Sequence, residues 1–177
     1  MSNYQNHQTL SDFQKPTLAA WVQYDRQRYL HGMMEFPVAL AGSDGFTALF
    51  PVLVPYDHTP PTKRRQLAAL KESIDTFRIL TAGYDLVLFD PEYDRHILNG
   101  NLDSDSSINF VSPALAEIWN LRDDEGMLNL SEEAMFERIV YVSSEGLHPA
   151  LTKARWLLHA WRWCIANRRT NATPSFQ

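Results

Sequence analysis

The sequence lacks the features that mark secreted, membrane-spanning or disulfide-stabilised proteins. Its 177 residues include one cysteine, Cys164, which has no partner for a bridge within the chain. No apolar run approaches the roughly 18 residues of a membrane span, and the polar residues 1–15 contain no apolar signal-peptide core. These absences favour a cytoplasmic protein that has no membrane partner.

Motifs that bind common cofactors or activate nucleophiles are absent as well. The chain has no glycine-rich dinucleotide-binding or P-loop pattern, and no serine or cysteine stands in a recognisable nucleophile motif. Histidine and aspartate do not repeat at a recognisable metal-ligand spacing. We therefore expect no cofactor and no metal, and a non-catalytic role is favoured over an enzymatic one.

The net charge of −5 is distributed unevenly along the chain. Residues 1–84 contain eight lysines and arginines against seven acidic residues, residues 85–145 contain three against fourteen, and residues 146–177 contain five against none. The three segments therefore carry charges of +1, −11 and +5. Either a basic C-terminal helix packs beside the acidic middle segment, or it offers a basic surface to an acidic partner.

The composition and local patterns predict one α+β domain over residues 1–177. A chain of this length with 45% hydrophobic residues can build a core without a metal or a disulfide. We expect a small mixed or antiparallel sheet of about three or four strands, packed with about five helices. The polar composition of residues 1–12 and 170–177 predicts flexible tails.

In the first part of the chain, the patterns predict one helix and one hairpin. The helix is expected from Pro16 to Met34, where apolar residues recur at helical spacing. The apolar runs 36–41 and 46–54 flank the sequence Gly42-Ser43-Asp44-Gly45 and predict a β-hairpin. Pro51 indicates that the second of these strands is an edge strand or is interrupted.

Downstream of the hairpin, a helix is predicted with Thr62 as its cap and Gly83 at its end. The continuous apolar run 86–89 is typical of a buried strand, and residues 108–111 indicate another. Three further helices are predicted to begin at Ser112, Ser131 and His148, the last ending near Arg169.

The helix predicted from His148 is apolar on two sides. One broad side carries leucine, alanine and Cys164 and is expected to face the core. Trp156 and Trp163 fall nearly opposite, with His159 and Arg162 beside them. These rings require a cover, which is either the protein's own fold, a partner protein, or a nucleic acid or small ligand.

A second basic group lies at the start of the helix that follows Thr62. Lys63, Arg64 and Arg65 crowd a helix terminus whose dipole disfavours cations, so a phosphate, an acidic partner or nearby acidic residues are expected to offset them. With Arg155 and the rest of the C-terminal helix they would form a composite basic surface. Basic side chains interleaved with tryptophan are typical of single-strand nucleic-acid binding.

An acidic segment follows the strand predicted at residues 86–89. It contains Asp90, Glu92, Asp94 and His96, and the carboxyl end of a buried strand is where open α/β sheets place ligands. Carboxylates and imidazole could bind a divalent cation or act in acid–base catalysis. A solvated acidic loop is the simpler interpretation.

Three functional hypotheses follow from these patterns. The first is a non-catalytic protein-binding module, such as an adaptor, an inhibitor or immunity-type protein, or an accessory subunit, that uses the aromatic and basic C-terminal helix. The second is nucleic-acid binding through Lys63, Arg64, Arg65 and the same helix. The third is a small enzyme with an acidic site between Asp90 and His96. No pattern indicates an oligomeric state.

Overall fold

A six-stranded mixed sheet forms the centre of the structure, a computed structural model that describes residues 15–30, 32–56, 61–102, 107–132, 135 and 148–170. The strands are β1 (Thr17–Val22), β2 (Arg28–Leu30), β3 (Met33–Gly42), β4 (Thr47–Pro55), β5 (Asp85–Leu88) and β6 (Ile108–Phe110). Strand β3 pairs with β4 along one edge and with β2 and then β1 along the other, always antiparallel. Strands β1, β5 and β6 are parallel neighbours.

Four helices are described on the two faces of this sheet. They are α1 (Arg64–Thr81), α2 (Tyr93–Leu98), α3 (Val111–Trp119) and α4 (Pro149–Thr170). Short 3₁₀ turns occur at Tyr24–Arg26 and Asn99–Asn101. Helix α1 connects β4 to β5, and α2 connects β5 to β6.

Alternation along the strands divides the apolar side chains between two cores. In β1, Leu18, Ala20 and Val22 face the core that contains α1 and α2, whereas Ala19 and Trp21 face the core that contains α3 and α4. Strands β3 and β5 alternate in the same way. The sheet is thus covered on both faces, which is why its central strands are continuously apolar.

The predicted helix from Pro16 to Met34 is wrong. This segment forms β1, the first 3₁₀ turn, β2 and the start of β3. Leu18 and Val22 are four positions apart, and that spacing places them on one face of a helix but equally on one face of a strand. Successive side chains of a strand point to opposite faces, so an extended apolar run can be buried on both faces of the sheet, as β1 is. Gly32, at φ +86°, allows the turn from β2 into β3.

The α+β class is confirmed, although the sheet is larger than predicted and the described residues contain four helices where five were predicted. The hairpin and the strands near residues 86–89 and 108–111 are confirmed, and β1 and β2 account for the two additional strands. Of the helix predicted from Ser131, only Ser131, Glu132 and Met135 are described. The predicted tails lie outside the described residues, apart from Thr170 at the end of α4.

Two predicted helix caps are wrong. Helix α1 begins after Lys63 rather than at Thr62, and the Lys63 N–H donates to Gln66 Oε1 at 3.1 Å. Helix α3 begins after Phe110, so Ser112 lies inside it with a buried hydroxyl that has no hydrogen-bond partner. Both helices start one or two residues away from the polar residue that a sequence pattern selects.

Candidate binding cleft

Only a narrow stripe of α4 is exposed. After Pro149 at its start, the described side chains of α4 that are exposed are Arg155, His159, Arg162 and Ala166, which recur at intervals of four, three and four residues and so share one face. The other side chains between residues 150 and 167 are buried or half-buried between the sheet and α3. The surface that α4 presents is therefore mainly basic, and we call Arg155, His159 and Arg162 the basic stripe.

The basic stripe forms one wall of a cleft of about 320 Å³. The opposite wall is the turn that joins β3 to β4, where Gly42 and Gly45 line the cleft. Arg162 spans the two walls, because its Nη2 donates to the Ser43 carbonyl at 3.4 Å. The lining is completed by the apolar side chains of Ala41, Phe46 and Leu158 and by Thr47, and none of the described acidic residues lines the cleft.

The positive charge of the basic stripe is not neutralised within the described part of the chain. Arg155, His159 and Arg162 form no ion pair with any described acidic residue. The acidic middle segment instead meets α4 near its start, where Lys153 binds Glu132 at 2.9 Å and lies 4.7 Å from the centre of the Trp21 ring. Packing of α4 beside the acidic segment therefore neutralises one end of the helix.

Hydrogen bonds from neighbouring elements fix the turn that forms the second wall. Asp44 accepts hydrogen bonds from the Tyr84 hydroxyl at 2.7 Å and from the Phe46 N–H at 3.0 Å. Chiefly because of the Tyr84 bond, the pKa of the Asp44 carboxyl lies below its ordinary value, and the same bond raises the pKa of Tyr84. The Ser43 hydroxyl and N–H bind the backbone of Thr17 at 3.0 and 2.8 Å.

Four backbone N–H groups of this turn are already hydrogen-bonded within the protein, so side chains of α4 supply the donors for a ligand in the cleft. The N–H groups of Gly42, Ser43, Gly45 and Phe46 all donate to acceptors within the protein. A side chain at Gly42 would place its Cβ 2.4 Å from Asp44 Oδ1, so the turn requires glycine at this position. These four amides cannot form the anion-binding nest seen in phosphate loops, and arginine and histidine side chains supply the donors.

The protein's own fold covers Trp156, which is one of the three covers that the sequence left open, so this ring is not available to a partner. Trp156 is 5% exposed, and its ring centre lies 6.3 Å from that of Phe89 in the core between the sheet and α4. Trp163 is half-buried, with its ring centre 5.5 Å from that of Trp119 in α3. Helix α4 is apolar on two sides because it packs against the sheet on one and against α3 on the other.

The structure does not bring Lys63, Arg64 and Arg65 together with the basic stripe. All three are exposed at the start of α1, which packs on the face of the sheet opposite α4. The first turn of α1 also approaches Gly32, at the end of β3 remote from the β3–β4 turn. The basic triplet and the basic stripe are therefore separate surfaces.

Two members of the acidic segment have structural roles in the turn between β5 and α2. Asp90 Oδ1 accepts the N–H groups of Glu92 and Tyr93 at 2.8 and 2.9 Å. Asp94 is buried and accepts hydrogen bonds from Tyr24 and from two backbone N–H groups. Glu92 and His96 are exposed. No group of three or more histidine, cysteine, aspartate or glutamate side chains among the described residues is arranged to hold a metal ion.

Sequence reasoning identified the basic stripe but missed the other wall of the cleft. Ser43 and Arg162 are 119 positions apart, and no local pattern connects residues at that separation. The glycines around Ser43 predicted a turn, which is confirmed, but a turn signal does not specify the helix that packs beside it. A fold prediction that placed α4 across β3 would have found the contact.

No known protein family matches this chain, and no curated protein or solved structure is significantly similar to it. Within the described residues, none of the helices combines the length and the apolar character that crossing a membrane demands. Functional inference therefore depends on the geometry of the residues themselves.

Proposed function

We propose that the protein is a non-catalytic binding module whose basic stripe receives an acidic segment of a partner protein. The observation that carries this proposal is a cleft lined by Arg155, His159 and Arg162 and, within the part of the chain that the structure describes, by no acidic residue. A solvent-exposed basic surface of this kind, on a chain of net charge −5, is complementary to clustered carboxylates.

The spacing of the stripe suits a ligand with two negative groups. Arg155 and Arg162 are seven positions apart on α4, a rise of about 10 Å along a helix. Residues four positions apart on an extended peptide share one face and lie about 13 Å apart, a distance that two flexible arginine side chains can span. Planar guanidinium groups bind carboxylates through two parallel hydrogen bonds, which makes arginine the preferred residue for this contact.

A partner protein is favoured over a nucleic acid as the source of these negative groups. Single-strand binding uses several exposed aromatic rings beside the basic side chains. Trp156 is buried under α4, Trp163 packs on α3, and Phe46, which lines the cleft, is half-buried. The second basic group, Lys63 to Arg65, lies on the other face of the sheet. The apolar lining of the cleft offers a contact for one aliphatic side chain between two acidic ones.

The proposal is tested by fluorescence anisotropy with a labelled peptide in which two glutamates stand four positions apart with a leucine midway between them, so that all three side chains share one face of an extended chain. Reversing the charge of the stripe with Arg155→Glu and Arg162→Glu should weaken binding about tenfold or more. Lys71→Glu is the matched control, because Lys71 is exposed on α1 at the opposite face of the sheet and its substitution should leave binding unchanged.

A single-stranded oligonucleotide of similar length is titrated in parallel. Tighter binding of the oligonucleotide, with a steep fall in affinity as salt rises, would replace the proposal with nucleic-acid binding. Absence of peptide binding at low salt, or equal binding by the reversed variant, would reject it.

A further inference from the structure

His159 lies in the middle of the basic stripe, between the two arginines. It follows Arg155 by four positions and precedes Arg162 by three, spacings that leave about 5 to 6 Å between neighbouring Cβ atoms on one helix face. All three side chains are exposed and line the same cleft. A ligand that reaches both arginines must therefore pass over the imidazole of His159.

The charged groups around His159 keep their charge at ordinary pH. Arg155 and Arg162 are permanently positive. Asp44, the acidic residue of the β3–β4 turn, binds Tyr84, and this bond lowers the pKa of Asp44 and raises that of Tyr84. Between pH 5.5 and pH 8 Asp44 is therefore ionised and Tyr84 is neutral. Among the described residues that line the cleft, only His159 belongs to a type that changes charge in this range.

An acidic segment in the cleft would bring negative charge beside this imidazole. An opposite charge within about 4 to 6 Å favours the protonated form of histidine. Histidine exchanges its proton between about pH 5 and pH 8, whereas glutamate stays ionised above about pH 5. Lowering the pH within this range therefore adds a third positive charge to the cleft and leaves the negative charges of the ligand in place.

We propose that His159 makes the binding of the acidic partner pH-dependent, with tighter binding in mildly acidic solution. This inference rests on the proposed function, because it concerns the same cleft. An exposed charge pair at this separation changes an affinity by a few-fold, so binding should tighten about fivefold from pH 8 to pH 5.5. The ligand takes up a proton with the protein as it binds, which is the linkage that the experiment measures.

The peptide defined above tests the pH dependence when its ends are acetylated and amidated, so that only its glutamates titrate. A fluorophore that is insensitive to pH reports anisotropy at pH 5.5, 6.5, 7.2 and 8.0 and constant ionic strength. His159→Gln should bind as the native protein does at pH 8.0 and should not tighten at lower pH. His159→Arg should bind tightly throughout. His96→Gln is the matched control, because His96 is exposed on α2 at the opposite face of the sheet, and it should retain the native pH dependence.

The protonation of His159 is followed directly by ¹H–¹³C NMR of its imidazole. Saturating peptide should raise the midpoint of this titration by about 0.7 pH unit, which corresponds to a fivefold change in affinity. Thermal unfolding establishes that each variant is folded. The inference alone is overturned if the peptide binds equally at every pH, if His159→Gln retains the pH dependence, or if the midpoint does not move. Absence of peptide binding at every pH would overturn the proposed function together with it.

Discussion

At the scale of single residues, Asp94 shows how an acidic side chain in a candidate site can instead hold the fold together. Its Oδ1 accepts the Tyr24 hydroxyl at 2.6 Å, and its Oδ2 accepts the N–H groups of Phe89 and Asp90 at 2.8 and 2.9 Å. These bonds connect the segment after β1 to the turn after β5. Burial raises the pKa of the Asp94 carboxyl to about 6, while the Tyr24 and backbone hydrogen bonds act in the opposite direction.

This pKa predicts that Asp94 makes the fold less stable as the pH rises from about 4 to about 6. In the unfolded chain the carboxyl loses its proton near pH 4, whereas in the folded protein it retains the proton to about pH 6. The folded state therefore binds more protons in this window, and the free energy of unfolding falls by about 2 kcal/mol across it from this group alone. Urea denaturation at pH 4, 5, 6 and 7, followed by tryptophan fluorescence, measures the effect.

Asp94→Asn should remove this pH dependence. The amide oxygen can still accept the N–H groups of Phe89 and Asp90, and the amide nitrogen can donate to the Tyr24 hydroxyl. Between pH 4 and pH 7, the unfolding free energy of the native protein should fall relative to that of the variant by about 2 kcal/mol. Asp124→Asn, at an exposed position, is the control and should follow the native protein. Parallel curves for Asp94→Asn and the native protein would contradict the assignment.

At the scale of secondary-structure elements, the packing of α4 predicts that alanine substitutions at two neighbouring positions differ greatly in their effect on stability. Trp156→Ala should lower the free energy of unfolding by about 3 to 5 kcal/mol, because it empties a buried aromatic contact with Phe89. Arg155→Ala, at the next position, should change it by less than about 0.5 kcal/mol, because that side chain is exposed. Trp163→Ala should fall between them. Chemical denaturation measures all three. A Trp156→Ala variant as stable as the native protein would contradict the burial of this ring in the core.

The elements predicted correctly from the sequence are those in which a turn sequence or the spacing of apolar residues fits only one type of secondary structure. The hairpin of β3 and β4 has a glycine-rich loop between two apolar runs, and α1 has apolar residues at intervals of three and four. Strand β1 was mistaken for a helix because an apolar run of this length suits both structures. Its assignment depends on the helices that cover both faces, which local sequence does not specify.

The same limit applies to the candidate cleft. Arg155, His159 and Arg162 stay predicted binding residues, chosen from their position on a helix, whereas the cover of the two tryptophans beside them was left open by the sequence and is supplied by the fold. Helical periodicity gives the angle between two side chains and does not reveal how many neighbours pack around the helix. Because α3 packs on α4, helix α4 needs a second apolar side that is buried within the protein.

At the scale of the whole molecule, the exposed edge of the sheet is protected against further strand pairing. Within the described residues, β4 pairs only with β3, as Pro51 indicated. Pro51 lies opposite Pro37, and the Gln23 N–H donates to the Pro37 carbonyl on the β1 side at 2.9 Å. The polar groups of Pro37 therefore point away from β4, and by antiparallel geometry those of Pro51 point to the free edge, where proline has no N–H to offer.

The next backbone N–H group of β4 that points to the free edge is blocked by a hydrogen bond. The Leu53 N–H, two residues after Pro51, donates to Ser73 Oγ of α1 at 2.9 Å. Two consecutive edge-facing positions on β4 therefore cannot donate an N–H group to another strand. Pro51 has no N–H, and the N–H of Leu53 is bound to α1. Helix α1 serves the sheet both as a cover for its apolar face and as a cap for its edge.

The double substitution Pro51→Val and Ser73→Ala should therefore increase self-association. It restores one outward N–H, releases another, and places a β-branched residue on an exposed edge, which is the composition of strands that pair between molecules. Sedimentation velocity over a range of protein concentrations should show a steeper rise in sedimentation coefficient than for the native protein. Pro51→Lys with Ser73→Ala restores the same N–H groups but adds a charge that disfavours edge pairing, so this variant should associate less. Equal sedimentation of the valine variant and the native protein would show that β4 is protected by something other than these two residues.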